Sequence, residues 1–259
     1  MSDIDQKLSN FYNSKGWKQK NNKYFDSILW EDNRDCAKEY VSNCRLRLKD
    51  YIIKDTEVCI DVGCGPIQYK EYLEYYKYSS VNHFLDVSKK AIEEAKNKTK
   101  KNSIFFCDSV LNFKKDNYYD LVILNHSLYH IDRKYQKQAV INLIKSLKIN
   151  GKFLITYTNK YSFWNLIFFI PQMIFDLLKN NNRKIYHYSF NLKWWDQFSK
   201  FGSVKKYPLR SISSRESKFL IPNNKIGKKI LNWLFKLEEK YPKFFTKYGT
   251  YYIIEIIKN

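Results

Sequence analysis

Asp61-Val62-Gly63-Cys64-Gly65-Pro66 is the stretch whose residue types and spacing are best suited to holding a ligand. A Gly-x-Gly between an apolar strand and helical sequence lets the backbone come close to a bound molecule, while the helix start offers free N–H groups. Alone the motif is a weak signal. A nicotinamide dinucleotide fingerprint needs a further glycine at position 68, where this chain has Gln68, and the acid before the glycines favours a ligand with an amino group to receive. Two more acids close the next apolar runs. Asp86 lies 25 residues after Asp61, where a carboxylate can accept both hydroxyls of a ribose, and Asp108 in Cys107-Asp108-Ser109 can accept from an adenine amine. Any one of these acids taken singly reads more readily as a helix cap or a loop acid. Three in order, at successive strand ends, point to a single crevice.

Such acids need parallel strands to carry them. Short apolar runs at Val58–Val62, His83–Val87, Ser103–Cys107, Leu121–Leu124 and Lys152–Tyr157 alternate with amphipathic stretches at Tyr69–Tyr76, Lys89–Lys98 and Lys134–Leu147. That alternation predicts an α/β fold, a parallel sheet with helices on both faces. Residues 1–50 read as a helical cap rich in Tyr and Trp, and residues 51–259 as the main domain with insertions at about 158–190 and 212–248. Asn191–Phe201 reads as a helix stopped by Gly202, followed by a strand near Val204–Leu209 and a last strand within Thr250–Ile257.

Composition narrows the classes. Apolar residues at 44% and aromatics at 18% exclude a disordered chain. Five cysteines without a C-x-x-C pair or a His at ligand spacing indicate neither a zinc site nor a disulfide framework, so no metal is expected and a reducing cytosol fits. No secretory signal opens the chain, and the most apolar run, Phe163–Leu178, is interrupted by Asn165, Pro171, Gln172 and Asp176 and is shorter than a bilayer span. The expected location is cytoplasmic, with peripheral membrane contact left open. A net charge of +20 would attract phosphates, anionic lipid or acidic substrates, unless the Lys enrichment only reflects biased composition.

Val58-Cys59-Ile60-Asp61-Val62-Gly63-Cys64-Gly65-Pro66, Phe84-Leu85-Asp86-Val87-Ser88, Phe106-Cys107-Asp108 and Tyr119-Asp120-Leu121-Val122-Ile123-Leu124-Asn125-His126 together resemble the class I S-adenosylmethionine-dependent methyltransferases, in particular their type-11 group. Leu147-Lys148-Ile149-Asn150-Gly151-Lys152 resembles that family's turn before the fifth strand, and the likeness covers about residues 55–157. It implies a Rossmann-like, mostly parallel sheet of seven strands, with S-adenosyl-L-methionine as cofactor. Carried over by the resemblance, Asp61, Gly63 and Gly65, with Cys64 between them, hold the methionine end. Asp86 serves the ribose and Asp108 with Ser109 the adenine, and Val87 and Asn125 are counted with them as cofactor-binding. The family's usual third glycine falls on Ile67, so the first turn or the carboxylate grip differs here.

Methyl transfer from a sulfonium is an in-line displacement that rests chiefly on positioning, and a hydroxyl acceptor is helped by a base. The loop after the fourth strand offers His126, Tyr129 and His130, with packing as the competing role for each; His187 lies in the first insertion. The Asn-Pro-Pro-aromatic signature of base-amine methylation is absent, as is a cysteine after Cys107 for pyrimidine C5 chemistry. The acceptor expected is therefore a small molecule, glycan or lipid-linked hydroxyl. An RNA-modifying or RNA-binding role, favoured by charge, and a non-catalytic cofactor-binding regulator are the alternatives. In the second insertion Ile226, Ile230, Trp233, Leu234 and Leu237 share a helical face with Lys228, Lys229, Lys236 and Lys240 around it. That pattern suits either an anionic membrane surface or packing on the sheet.

Overall fold

The computed structural model describes residues 3–100, 102–168 and 185–259. The alternating apolar runs become β1 (Thr56–Val62), β2 (Ser79–Asp86), β3 (Ile104–Cys107), β4 (Tyr119–Asn125), β5 (Leu147–Thr158), β6 (Gly202–Arg210) and β7 (Tyr251–Lys258). They form one seven-stranded sheet in the order β3-β2-β1-β4-β5-β7-β6. Neighbours are parallel from β3 to β5, and β7 inserts antiparallel between β5 and β6. The strand order reverses between β1 and β4, and in open α/β sheets ligands bind outside the carboxyl ends at such a point.

Period-two alternation sorts the strand residues between two cores. On one face Ile60, Val62, Val122, Leu124, Phe153 and Ile155 pack on Ala139, Val140 and Leu143 of the helix Arg133–Ser146 and on Trp195 and Phe198. On the other face Cys59, Phe84, Leu121, Ile123 and Leu154 meet Leu48, Tyr75, Tyr76 and Ile92. Asp61 has the parity of Cys59, and its carboxylate therefore lies on the Tyr76 side.

The helix Lys38–Leu46 buries Tyr40, Val41 and Cys44 against Ile212 and Leu231. Beside that contact Arg47 forms a buried ion pair with Glu238, whose Oε1 accepts from the Tyr40 hydroxyl at 2.7 Å and the Ser211 amide at 2.8 Å. Residues near the two ends of the chain are thus joined through one satisfied charge pair, in which each charge offsets the other's burial.

Two expectations meet a different structure. Tyr69–Tyr76 forms only a 3₁₀ turn, Lys70–Glu74, because Tyr69, Tyr72 and Tyr75 recur every third residue with neighbouring rings 5.4 and 5.5 Å apart. The helix Lys225–Lys240 packs on Lys38–Leu46 rather than on the sheet, through Leu231, Leu234 and Phe235, leaving Ile226, Ile230 and Trp233 exposed. In the first insertion Ser162 caps the helix Phe163–Ile167, its Oγ accepting from the Asn165 amide at 3.2 Å. The rest of the apolar stretch to Leu178 and the run Lys179–Lys184 lie outside the described residues. Among the described residues no helix is long and apolar enough to cross a membrane.

Candidate functional site

The loop after β1 depends on backbone that side chains disfavour. Gly63 and Gly65 lie at φ 68° and 57°, and a Cβ on Gly63 would stand 2.5 Å from the Ser127 Cβ. The Gly63 amide donates to the Leu85 carbonyl at 2.6 Å, and the Gly65 amide donates to Asp86 Oδ2 at 2.9 Å. The loop is thereby tied to the end of β2. Ile67, at the family's third glycine position, keeps the glycine-like φ of 50° although it is β-branched, and it is buried.

Asp61 and Asp86 meet in this crevice. Asp86 accepts from the amides of Gly65 and of Ser88, the latter at 2.8 Å, and burial pushes its carboxyl up to about 6. Asp61 is only 3% exposed. The Tyr76 hydroxyl donates to its Oδ2, while Oδ1 is buried with no hydrogen-bond partner. Burial, reinforced by the Asp86 charge, pushes the Asp61 carboxyl up to about 7, against the pull of the Tyr76 hydrogen bond. A buried carboxylate oxygen without a donor is costly unless a ligand supplies one. Cys64 is buried between the two acids, which add to the burial that raises its thiol well above the usual range.

The third acid is placed differently. Asp108 is exposed and caps its own turn, accepting from the Ser109 amide at 2.6 Å and Asn112 Nδ2 at 2.8 Å. Ser109 is buried and donates through Oγ to Asp5 Oδ2 at 3.2 Å, so the N-terminal helix Asp3–Phe11 reaches the loop after β3. The half-buried Val87 presents its carbonyl to Ser9 Oγ at 2.9 Å, and Asn13 Oδ1 accepts from Ser88 Oγ at 2.7 Å. Tyr12 stacks on Trp17 at 4.5 Å, and the Trp17 ring lies 3.2 Å from where a Gly65 Cβ would be. Like Asp61 Oδ1, Trp17 Nε1 is buried without a partner among the described residues. This N-terminal cover is legible in the sequence only as an enrichment in Tyr and Trp.

A second cavity opens at the end of β4, lined by Glu31, Arg45, Tyr72, Asn125, His126 and Arg210 among others. Glu31 holds it together. Its Oε1 accepts from Arg210 at 2.8 Å and Ser214 Oγ at 2.9 Å, and its Oε2 from Arg45 at 2.8 Å. Burial would raise the Glu31 carboxyl, but Arg210 and Arg45 outweigh it and hold it well below the ordinary carboxylate range. Glu31 and Arg210 are 179 residues apart in sequence, and no local pattern announces the pair.

His126 has φ 55°, its amide donates to Thr156 Oγ1 at 2.8 Å, and its Nδ1 is buried without a partner among the described residues. Burial and the nearby Arg210 push its pKa down to about 3, so the ring is neutral. Asn125, also in the lining, accepts at Oδ1 from Thr156 Oγ1 at 2.6 Å. His130 Nδ1 lies 2.8 Å from the Tyr186 carbonyl, which makes that nitrogen the protonated one, and burial pushes this ring down to about 4. Tyr129 is buried, 4.6 Å from the His187 ring, and its carbonyl accepts from the Tyr188 amide at 2.8 Å. Of the three sequence candidates for a base, His126 lines the cavity, while His130 and Tyr129 hold residues 186–188.

Comparison with known proteins agrees with this layout. A methyltransferase domain family matches residues 60–155, the segment that runs from β1 to β5. An uncharacterized protein of Methanocaldococcus jannaschii is 29% identical over 218 residues, covering 82% of this chain and 84% of its own. The fold is shared with the N-methyltransferase NodS of Bradyrhizobium japonicum in complex with S-adenosyl-L-homocysteine, at TM-score 0.58, 11% identity and 99% of both chains. It is shared equally with the magnesium protoporphyrin IX methyltransferase of Synechocystis, at TM-score 0.57, 14% identity, 99% of this chain and 100% of that one. Residues 60–155, which span the glycine loop and the acidic strand ends, thus match a methyltransferase domain, set in a fold shared with S-adenosylmethionine-dependent methyltransferases.

Proposed function

We propose that the crevice receives the cofactor's amino group on Asp61, its ribose on Asp86 and its adenine near Ser109, and that the methyl group goes to a hydroxyl of a small molecule seated beside His126. The cofactor half is supported by Asp61 Oδ1, a buried acceptor with no donor of its own. The acceptor half rests on one observation: His126, whose Nδ1 is buried and without a partner among the described residues, lines a cavity at the carboxyl end of β4.

When bound, S-adenosylmethionine supplies a methyl group on a sulfonium that departs as a thioether. The chain's own share is to hold the acceptor oxygen in line and to exclude water beneath the Tyr12–Trp17 stack. The hydroxyl proton would pass to His126 Nδ1, which has no hydrogen-bond partner among the described residues. His130 acts through Tyr186 as a positioning residue. The same chemistry would apply to a glycan or lipid-linked hydroxyl.

A mass screen of cell extract incubated with labelled cofactor identifies the product. His126→Ala is expected to lower turnover by about 10²–10⁴ with cofactor affinity unchanged, and undiminished turnover would remove it from this role. Asp86→Ala is expected to weaken cofactor binding by roughly 1–3 kcal/mol in calorimetry. The charge of +20 supports RNA as a second reading, which the same screen detects as label lost on ribonuclease treatment.

A further inference from the structure

The helix Lys225–Lys240 leaves an apolar stripe in solvent. Its inward side is made by Gly227, Leu231 and Glu238, with Leu234 and Phe235 packed against Tyr40, Val41 and Cys44. Ile226, Ile230 and Trp233 follow one another at spacings of four and three residues, which puts them on one line along the helix, turned about a quarter of a circle from the buried side. Ile226 is 63% exposed and Trp233 62%. Isolated apolar side chains in water are ordinary, but a stripe on one helix face is not.

Charge decides what covers it. At 100° per residue Lys225, Lys229, Lys236 and Lys240 line the flank beside the stripe, and all four are exposed. Only Lys228, on the opposite flank, pairs with a described carboxylate, Glu39, at 2.9 Å. The chain runs on through an exposed Tyr241 into the helix Pro242–Tyr248, where exposed Phe244 and Tyr248 stand beside exposed Lys243 and Lys247. A second copy meeting this face across a two-fold axis would set one lysine flank near another. Stacked nucleobases need flat rings, and two of the three stripe residues are isoleucines. Aliphatic side chains, an interfacial Trp and lysines with long stems match a bilayer surface carrying anionic headgroups.

We propose that this face, Ile226–Ile230–Trp233 with its lysine flank, docks the protein on anionic lipid bilayers, laying the helix in the headgroup plane. The inference does not depend on which acceptor the methyltransferase site serves.

The test is sedimentation of the full chain with phosphatidylcholine vesicles, with and without phosphatidylglycerol. Binding is expected only to the anionic vesicles and is expected to weaken as salt rises. Ile230→Glu/Trp233→Glu and Lys229→Glu/Lys236→Glu should each lower the bound fraction at least about tenfold, with cofactor affinity and far-ultraviolet dichroism unchanged. The emission difference between wild type and Trp233→Phe should shift to the blue when anionic vesicles are added. Wild type that stays in the supernatant, or variants that bind equally well, would overturn the proposal. So would a Trp233 emission already blue in buffer, which means a cover from within the chain, or a concentration-dependent dimer abolished by Ile230→Glu/Trp233→Glu.

Discussion

Tyr76 donates its hydroxyl to Asp61 Oδ2 and leaves Oδ1 buried and unpartnered, so half of one carboxylate is satisfied by the fold and half is kept for a ligand. Burial holds the Asp61 carboxyl near 7, and an ammonium ligand binds its ionised form. Cofactor affinity should therefore rise with pH up to about 7 and level off above it, as calorimetry across pH can check. Tyr76→Phe removes a donor to the charged form and should move that midpoint upward. For the ligand-free protein the sign is opposite. A carboxyl raised in the folded state favours folding below its unfolded pKa of about 4, and this contribution is lost as pH rises toward 7, at up to about 1.4 kcal/mol per pH unit. Asp61→Asn should flatten both dependences.

Glu31 accepts from both Arg45 and Arg210 in the cavity at the end of β4. Glu31→Gln leaves buried guanidinium charge uncompensated and is expected to cost about 3–5 kcal/mol in urea unfolding, the penalty for breaking a buried pair. A loss below about 1 kcal/mol would mean that the pair is worth no more than a surface ion pair. Because its carboxyl is held low, the stabilisation by Glu31 is complete above the ordinary carboxylate pKa and fades as pH falls, so the variant should be the less acid-sensitive protein.

The glycine loop offers a comparison of magnitudes. Gly63→Ala would force a Cβ to 2.5 Å from Ser127 and add left-handed strain of about 1–2 kcal/mol, and both stability and cofactor affinity should fall. Ile67→Gly relieves a similar strain but removes a buried side chain, whose loss costs about 2–5 kcal/mol. Burial is the larger quantity, so thermal unfolding should show Ile67→Gly to be less stable than wild type. A rise in Tm would show that strain dominates.

Most of the sheet could be read from residue order, because alternation of apolar runs with amphipathic stretches depends on neighbours a few positions apart. Val58–Val62, His83–Val87 and Leu121–Leu124 all lie at or within one residue of strands of the parallel sheet. The same local logic found Asp61 and Asp86 at their strand ends, beside Gly63 and Gly65. It could not foresee that Asp108 accepts from Ser109 and Asn112 of its own turn, since a strand-end acid has the same local sequence whatever its partners. Nor could it select among His126, Tyr129 and His130, three residues of one short loop whose roles depend on the distant partners Arg210 and Tyr186. The amino-acid order by itself determined the alternating elements, the glycine turn and the acids at its mouth, because backbone conformation and periodicity are local. Only the tertiary structure decided which face of Lys225–Lys240 is buried, what covers the crevice and which histidine lines the cavity, because each of these is a contact between segments far apart in the chain.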